Sequence, residues 1–234
     1  MKKAILFSLW VLFVLCFSSL PIPAQTDGEL DQILSRLKDR FGSAKTFQAD
    51  YLRDLLPKVP SQLPPQSLQA EGQLSFRSPG KLRLVQKKPR SEQLISNGEK
   101  VWWYVPEEKV VYVYALKDYY LQVKPILDFL SGLGRLDQHY RVSSDPSVPP
   151  EAPYFGLILE PKTPQADLNR IFLKISKSTV LPVEFSFYNV LGDGTRFRFS
   201  RIQSGLSLAD SLFNFTPPPG TESVSQHPQP SPRK

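Results

Sequence analysis

The sequence predicts a mainly β chain of the α+β class: a long antiparallel sheet that curls, with two helices against one of its faces. Three observations support this. From Phe47 to Ile202, strand-length runs follow one another with turn residues between them, the signature of consecutive hairpins. Helical periodicity appears in two stretches, one near the start and one in the middle. Strands and helices do not alternate, which argues against a parallel sheet. A long antiparallel sheet twists into a convex and a concave face, and two helices cannot cover both. Helices lodged in the concavity would enclose an apolar space. Such a space suits a hydrocarbon chain, because hydrophobic binding needs area rather than directed polar groups.

The first 24 residues read as a secretory signal peptide. Lys2 and Lys3 precede an apolar run from Ala4 to Phe17, then a Pro-containing stretch with cleavage after Ala24. That run is short of the roughly 20 residues a membrane span needs. Cys16 would be the acceptor for a lipid anchor, but Leu15 is not the small residue that processing wants. The mature chain is therefore expected to be soluble and free of cysteine, held together by its core alone. Residues 25–222 are expected to form one domain, and 223–234, polar and Pro-rich, a disordered tail. Without Lys2 and Lys3 the chain keeps 27 basic residues against 22 acidic ones. The surplus is spread along the sequence rather than clustered, which argues against a nucleic-acid partner.

The mature chain opens on TDGELDQILSRLKDRFGSAKTF, where Leu30, Ile33, Leu34, Leu37 and Phe41 recur at helical spacing. Thr26 or Asp27 caps the start and Gly42 ends it. β structure begins at Phe47, and LLPKVPSQLPPQ interrupts it as a Pro-rich loop. AEGQLSFR alternates, with Leu74 and Phe76 on one face; PGKLRLVQKKP follows, with Leu82 and Leu84 opposite Arg83. EQLIS, KVWWYV and KVVYVYAL continue as a meander, and Asn97-Gly98 supplies the two positive φ angles of a type I′ hairpin. KVWWYV and KVVYVYAL lack the polar alternation of a half-exposed strand, so both faces of this hairpin need apolar neighbours. A second helix is expected in KPILDFLSGLGRL, with Pro125 at its first position. SSDPSVPPEAP is a loop, and YFGLILEP, RIFLKIS, LPVEFSFYNV and TRFRFSRI bring the count to about nine or ten strands.

Catalytic residue types are scarce. A cysteine-free mature chain has no thiol nucleophile and no cysteine metal site. Of two histidines, His227 lies in the tail and His139 reads as a surface residue; no serine has a GxSxG context. Glu107 with Glu108, and Asp193 near Glu184, are carboxylate pairs, but turn positions are usually just solvated. SNGEK, PGK and GDG open no helix and so are turns rather than phosphate cradles. No enzyme activity, metal or cofactor is expected.

Four landmarks occur in order: AEGQLSFRSPGKLRL, QLISNGEKVWWYVPEEKVVYVYALKD, PILDFLSG and LFNFTPPPGTESV. Together they resemble the outer-membrane lipoprotein carrier family LolA over nearly all of the mature chain. The resemblance implies an incomplete antiparallel β-barrel, a half-barrel whose concave apolar face is covered by a helical lid. It also implies a monomeric periplasmic carrier without covalent chemistry. Such a carrier accepts acylated lipoproteins from an ATP-driven inner-membrane releasing complex and delivers them to an outer-membrane receptor of the LolB type. Other readings are a lipid- or lipopeptide-sensing half-barrel of an envelope signalling system and, further off, an exported hydrolase.

On this resemblance the lipid-facing set is Leu74, Phe76, Leu82, Leu84, Trp102, Tyr104, Phe155, Leu157, Leu159, Leu173, Phe185, Phe187, Phe197 and Phe199. The lid carries Leu30, Ile33, Leu34, Leu37, Ile126, Leu127, Phe129 and Leu130. In the family an arginine before the Pro of an R-P-G turn bonds to the lid. Arg77, separated from Pro79 by Ser78, is the candidate for that latch.

Overall fold

The computed structural model describes residues 27–42, 45–62, 64–165 and 167–225. The expected signal peptide and residues 226–234 of the expected tail lie outside them. Helix α1 (Asp27–Phe41) ends where the Gly42 N–H donates to the Lys38 carbonyl at 2.7 Å. Strands β1 (Thr46–Leu56), β2 (Gln69–Arg77), β3 (Lys81–Lys88), β4 (Glu92–Asn97), β5 (Lys100–Val105) and β6 (Val110–Ala115) follow. Helix α2 (Leu116–Gly132) and the short α3 (Leu136–His139) come next. The chain closes with β7 (Tyr140–Ser144), β8 (Tyr154–Pro161), β9 (Arg170–Ser176), β10 (Pro182–Tyr188), β11 (Gly194–Ser204) and β12 (Glu222–Ser225).

All twelve strands join one sheet in the order β12-β6-β5-β4-β3-β2-β1-β11-β10-β9-β8-β7. Every pairing is antiparallel except that of β12 with β6. β7 and β12 are the two ends and do not meet, so the sheet is an open half-barrel. The β1–β11 ladder, with Tyr51 opposite Phe199 and Arg53 opposite Phe197, ties the two halves together at the centre.

Cross-strand register sorts the side chains. Leu74, Leu84, Leu94 and Trp103 lie directly opposite one another across β2 to β5. On the other half Phe197, Phe185, Leu173 and Leu157 form the matching row across β11 to β8. Both rows belong to one face, and α1 and α2 lie on it: Ile33, Leu37, Phe41, Val123, Ile126, Leu127, Phe129 and Leu130 join the same buried cluster. α1 is also tied to the β9–β10 turn by Arg36, which donates to the Lys177 carbonyl at 3.2 Å.

Two glycines set close approaches. A Cβ on Gly134 would lie 2.6 Å from the Gly42 nitrogen and 2.7 Å from the Phe41 carbonyl carbon. The turn after α2 therefore meets the end of α1 backbone to backbone. A Cβ on Gly72 would lie 2.2 Å from the Val85 carbonyl oxygen and 2.9 Å from the Tyr51 ring, so that glycine lets both β3 and the Tyr51 ring come close to β2.

Several expectations are corrected. α2 starts nine residues before Pro125, which falls inside the helix instead of at its first position; proline removes one rung of the i→i−4 ladder there. Gly98 has φ +98°, but Asn97 is not in the left-handed region, so the β4–β5 turn is not type I′. Instead Asn97 Oδ1 accepts from the N–H groups of Glu99 and Lys100, both at 2.9 Å. β7 and β12 are additional strands, and β12 extends into the segment expected as tail.

The outer face of β2 to β6 has its own cover. Residues 206–221 run across it as a strap, starting where Thr46 Oγ1 donates to the Leu206 carbonyl at 2.9 Å. Phe213 is fully buried there, and the Phe215 ring meets Tyr104 at 5.0 Å. The strap ends as β12, where the Glu222 N–H donates to the Lys109 carbonyl at 2.8 Å.

Candidate functional site

Between the helix-covered face and α2 lies a cavity of about 330 Å3, at the small end of the range for ligand sites. Leu84, Leu94, Trp103, Phe187, Phe197 and Tyr51 supply its floor, and Val123 and Ile126 of α2 its roof. Leu55, 36% exposed, and Thr195 mark the open end. Besides Thr195, the polar side chains of Arg53, Gln86 and Glu92 reach into this mostly apolar wall.

The polar groups are arranged in sequence. Trp103 Nε1 donates to Glu92 Oε2 at 2.9 Å, and Arg90 donates to Glu92 Oε1 at 2.8 Å. Arg53 Nη2 reaches Gln86 Oε1 at 3.4 Å. The Tyr51 hydroxyl is pushed up to about 12, mainly by burial; Arg53 opposes this and Glu92 adds to it. The phenol thus stays neutral and presents a ring to the cavity.

Of the expected lipid-facing residues, Leu84, Phe187 and Phe197 line the open cavity. Leu74, Phe76, Leu82, Phe155, Leu157, Leu159, Leu173, Phe185 and Phe199 lie in the same cluster, and the helices fill the space above them. Among the expected lid residues, Ile33, Leu37, Ile126, Leu127, Phe129 and Leu130 are buried against the sheet, and Leu30 and Leu34 are half-buried. The Phe129 ring stacks on Phe185 with centroids 3.8 Å apart and planes at 16°.

Trp102 and Tyr104 are not on this face. Pairing of Leu94 with Trp103 and of Ile95 with Trp102 puts Trp103 in the cavity and Trp102 outside it. Tyr104 shares the outer side and packs under the strap. Parity could not be read from KVWWYV, because both of its faces are covered and neither is polar.

Arg77 is not a lid latch either. It follows the inward Phe76, so strand alternation turns it outward. There it donates to the Leu208 carbonyl at 2.6 Å, pairs with Asp210 and lies 5.3 Å from the Phe213 ring centroid. Lys81 also pairs with Asp210, and Arg83 donates to the Leu212 carbonyl at 3.1 Å. The two cations, Lys81 foremost, hold the Asp210 carboxyl below the usual carboxylate range. Arg77 is thus an anchor of the outer strap.

Sequence reasoning passed over Arg53, Gln86, Glu92 and Leu94. Arg53 could have been found as the charged residue in a face otherwise reading Phe47, Ala49, Tyr51 and Leu55. His139, at the end of α3, is exposed as expected.

Comparison with known proteins adds to this geometry. A crystal structure of an uncharacterised conserved protein from Thermus thermophilus superposes with a TM-score of 0.51 at 12% identity, covering 84% of this chain and 99% of that one. At that identity the likeness concerns the fold. The outer-membrane lipoprotein carrier protein of Methylococcus capsulatus (Bath) is 28% identical over 188 residues, 80% of this chain and 85% of its own length. The protein of the same name from Nitrosomonas europaea is 28% identical over 216 residues, covering 92% and 98%. The family model described as outer membrane lipoprotein carrier protein LolA matches residues 43–216. With well over half of its length matched by that model, the chain belongs to the LolA family.

Proposed function

We propose that the protein is a periplasmic carrier that shields the acyl chains of lipoproteins between the inner and outer membranes, without covalent chemistry. The observation that carries this reading is the layered inner face: an apolar sheet, a partly open cavity and two helices seated by apolar contacts. A hydrocarbon chain entering at the end marked by Leu55 and Thr195 meets, at Leu84 and Phe197, surfaces like those that α2 covers deeper in. Transfer of apolar area from water stabilises by about 25 cal/mol per Å2, so a long chain has enough area to replace the lid's own contacts. On this reading the lipid-facing set is the inner-face group with Trp103 in place of Trp102 and Tyr104. Cargo comes from an ATP-driven inner-membrane releasing complex and goes to an outer-membrane receptor, with the carrier acting as a monomer. Export through the N-terminal signal peptide accounts for the compartment.

The test is release of labelled lipoprotein from inner-membrane spheroplasts into a soluble complex. The purified protein should release cargo, and a Leu84→Glu variant that folds, carrying a carboxylate in the cavity wall, should not. Absence of release by the wild-type protein defeats the carrier reading. A folded Leu84→Glu variant that releases cargo normally removes the cavity from it.

A further inference from the structure

Arg53 is out of place in a purely hydrocarbon-binding wall. It stands in register with Phe197, on the row that continues through Phe185, Leu173 and Leu157. Its Nε is buried and has no hydrogen-bond partner, and its Nη2 makes one long bond to Gln86. Among the described residues no carboxylate lies within ion-pair distance of it. The acidic residue that shares the cavity, Glu92, is already engaged by Arg90 and Trp103. Arg90 is shared between Glu92 and Glu108, so the Arg53 guanidinium enters the cavity without a carboxylate paired to it among the described residues.

A buried donor without a partner costs about 1–3 kcal/mol. Such a group in a native fold calls for an explanation, of which a missing ligand is one. The planar guanidinium fork matches the two oxygens of a carboxylate or phosphate. The surfaces beside it, Tyr51, Leu84, Trp103 and Phe197, match a hydrocarbon chain. Cation and apolar trough are thus joined in one cavity whose volume suits a single chain rather than several.

We propose that Arg53 makes this cavity a site for a single-chain anionic amphiphile, its carboxylate or phosphate head on the guanidinium and its chain along Leu84, Trp103 and Phe197. The proposal rests on the carrier reading, since it uses the same apolar cavity, and it adds a charge requirement which that reading lacks. The shared chemistry is an acidic oxygen head; a fatty acid and a phosphate-bearing lipid are its two sources.

Palmitate, hexadecyl phosphate and methyl palmitate, which share a long saturated chain, separate these possibilities by displacement of a fluorescent fatty-acid probe at alkaline pH and low ionic strength. The wild-type protein should bind at least one acid roughly tenfold or more tighter than the ester, the effect of a charge-assisted hydrogen bond in a partly desolvated site. Preference for palmitate alone points to fatty acids, and preference for hexadecyl phosphate alone to phosphate-bearing lipids. Arg53→Gln should bring the preferred acid down to the level of the ester, and Arg53→Lys should keep part of the difference. Equal binding of all three ligands by the wild-type protein overturns the proposal without any variant, while leaving the carrier reading intact. Persistence of the preference in a folded Arg53→Gln protein overturns it too. Failure of the wild-type protein to bind any of the three removes both this inference and the apolar cavity on which the carrier reading stands.

Discussion

Replacement of Phe129 by alanine separates a displaceable lid from an ordinary core helix. Phe129 is fully buried, and its ring stacks on Phe185 at 3.8 Å. Truncating a buried phenylalanine to alanine costs about 3–5 kcal/mol. If α2 opens as a unit, that loss falls on the closed form alone. At about 1.4 kcal/mol per factor of ten, the open population should rise roughly two to three orders of magnitude. α2 is suited to such opening, because Val123 and Ile126, though part of the core cluster, also border a cavity, and Pro125 removes a rung of its ladder. Native-state hydrogen exchange reads the outcome directly. Amides of the last two turns of α2 should exchange faster by that factor, and in both proteins from a smaller opening free energy than those of the β1–β11 ladder. Dye binding to the uncovered inner face should rise in parallel. A common opening free energy for helix and ladder amides in the wild-type protein would refute the argument, because the helix would then be exchanging only through global unfolding.

Other perturbations test the remaining parts. Gly134→Ala forces a Cβ against the Gly42 and Phe41 backbone and should destabilise by about 1–3 kcal/mol, seen as a lower midpoint in urea. Arg77→Ala should free the strap, so that limited proteolysis cuts residues 206–221 while release of cargo by the lid mechanism continues; a strap that stays protected removes Arg77 from the anchoring role. Asp210 is depressed by Lys81 and Arg77, so its contribution is complete above the ordinary carboxylate pKa of about 4 and is lost as pH falls through the lower folded value. Strap proteolysis should therefore increase only in that acidic window. Tyr51 and Tyr140 are both raised to about 12 by burial. Neutral phenols favour the folded state, so their stabilisation is complete below about pH 10 and is lost as pH rises toward 12, roughly 2–3 kcal/mol for each group. An ultraviolet titration of the folded protein should show at least these two phenols ionising late, with Tyr114 also raised by burial; ionisation of all tyrosines near 10 would contradict their burial.

Much of the architecture was legible because local pattern and tertiary environment agree. Leu74 with Phe76, Leu82 with Leu84, and Phe197 with Phe199 alternate with polar residues, and each pair lies on the covered face. The two strands that escaped notice are the two ends of the sheet, β7 and β12. Edge strands are short and polar because an exposed apolar edge invites pairing with other chains. YRVSS and ESVS therefore look like loop in the sequence. Parity at Trp102 and Trp103 was hidden for the opposite reason: the strap and the cavity make both faces apolar. The reach of Arg77 was hidden because its partners, Leu208 and Asp210, lie more than 130 residues away in the chain. Arg53 was passed over because a single arginine in β1 looks like solvated charge until its register with Phe197 is known.

The two covers of the sheet are built from different contacts, and this difference determines which of them can be exchanged. The outer strap is fixed by directed groups: Arg77 and Lys81 on Asp210, Arg83 on the Leu212 carbonyl, and a parallel strand pairing at β12. A hydrocarbon chain offers no donor or acceptor, so displacing the strap would leave those groups unpaired, at about 1–3 kcal/mol for each one kept from water. On the inner face, α2 is seated by Phe129 on Phe185 with Ile126, Leu127 and Leu130 around it. Such contacts are non-directional and scale with area, so an acyl chain laid along the sheet replaces them in kind. On the proposed carrier function, apolar cargo would compete with the inner cover and not with the outer one. The hairpin that carries Trp102 and Trp103 would then stay anchored on its outer side while its inner side changed partners.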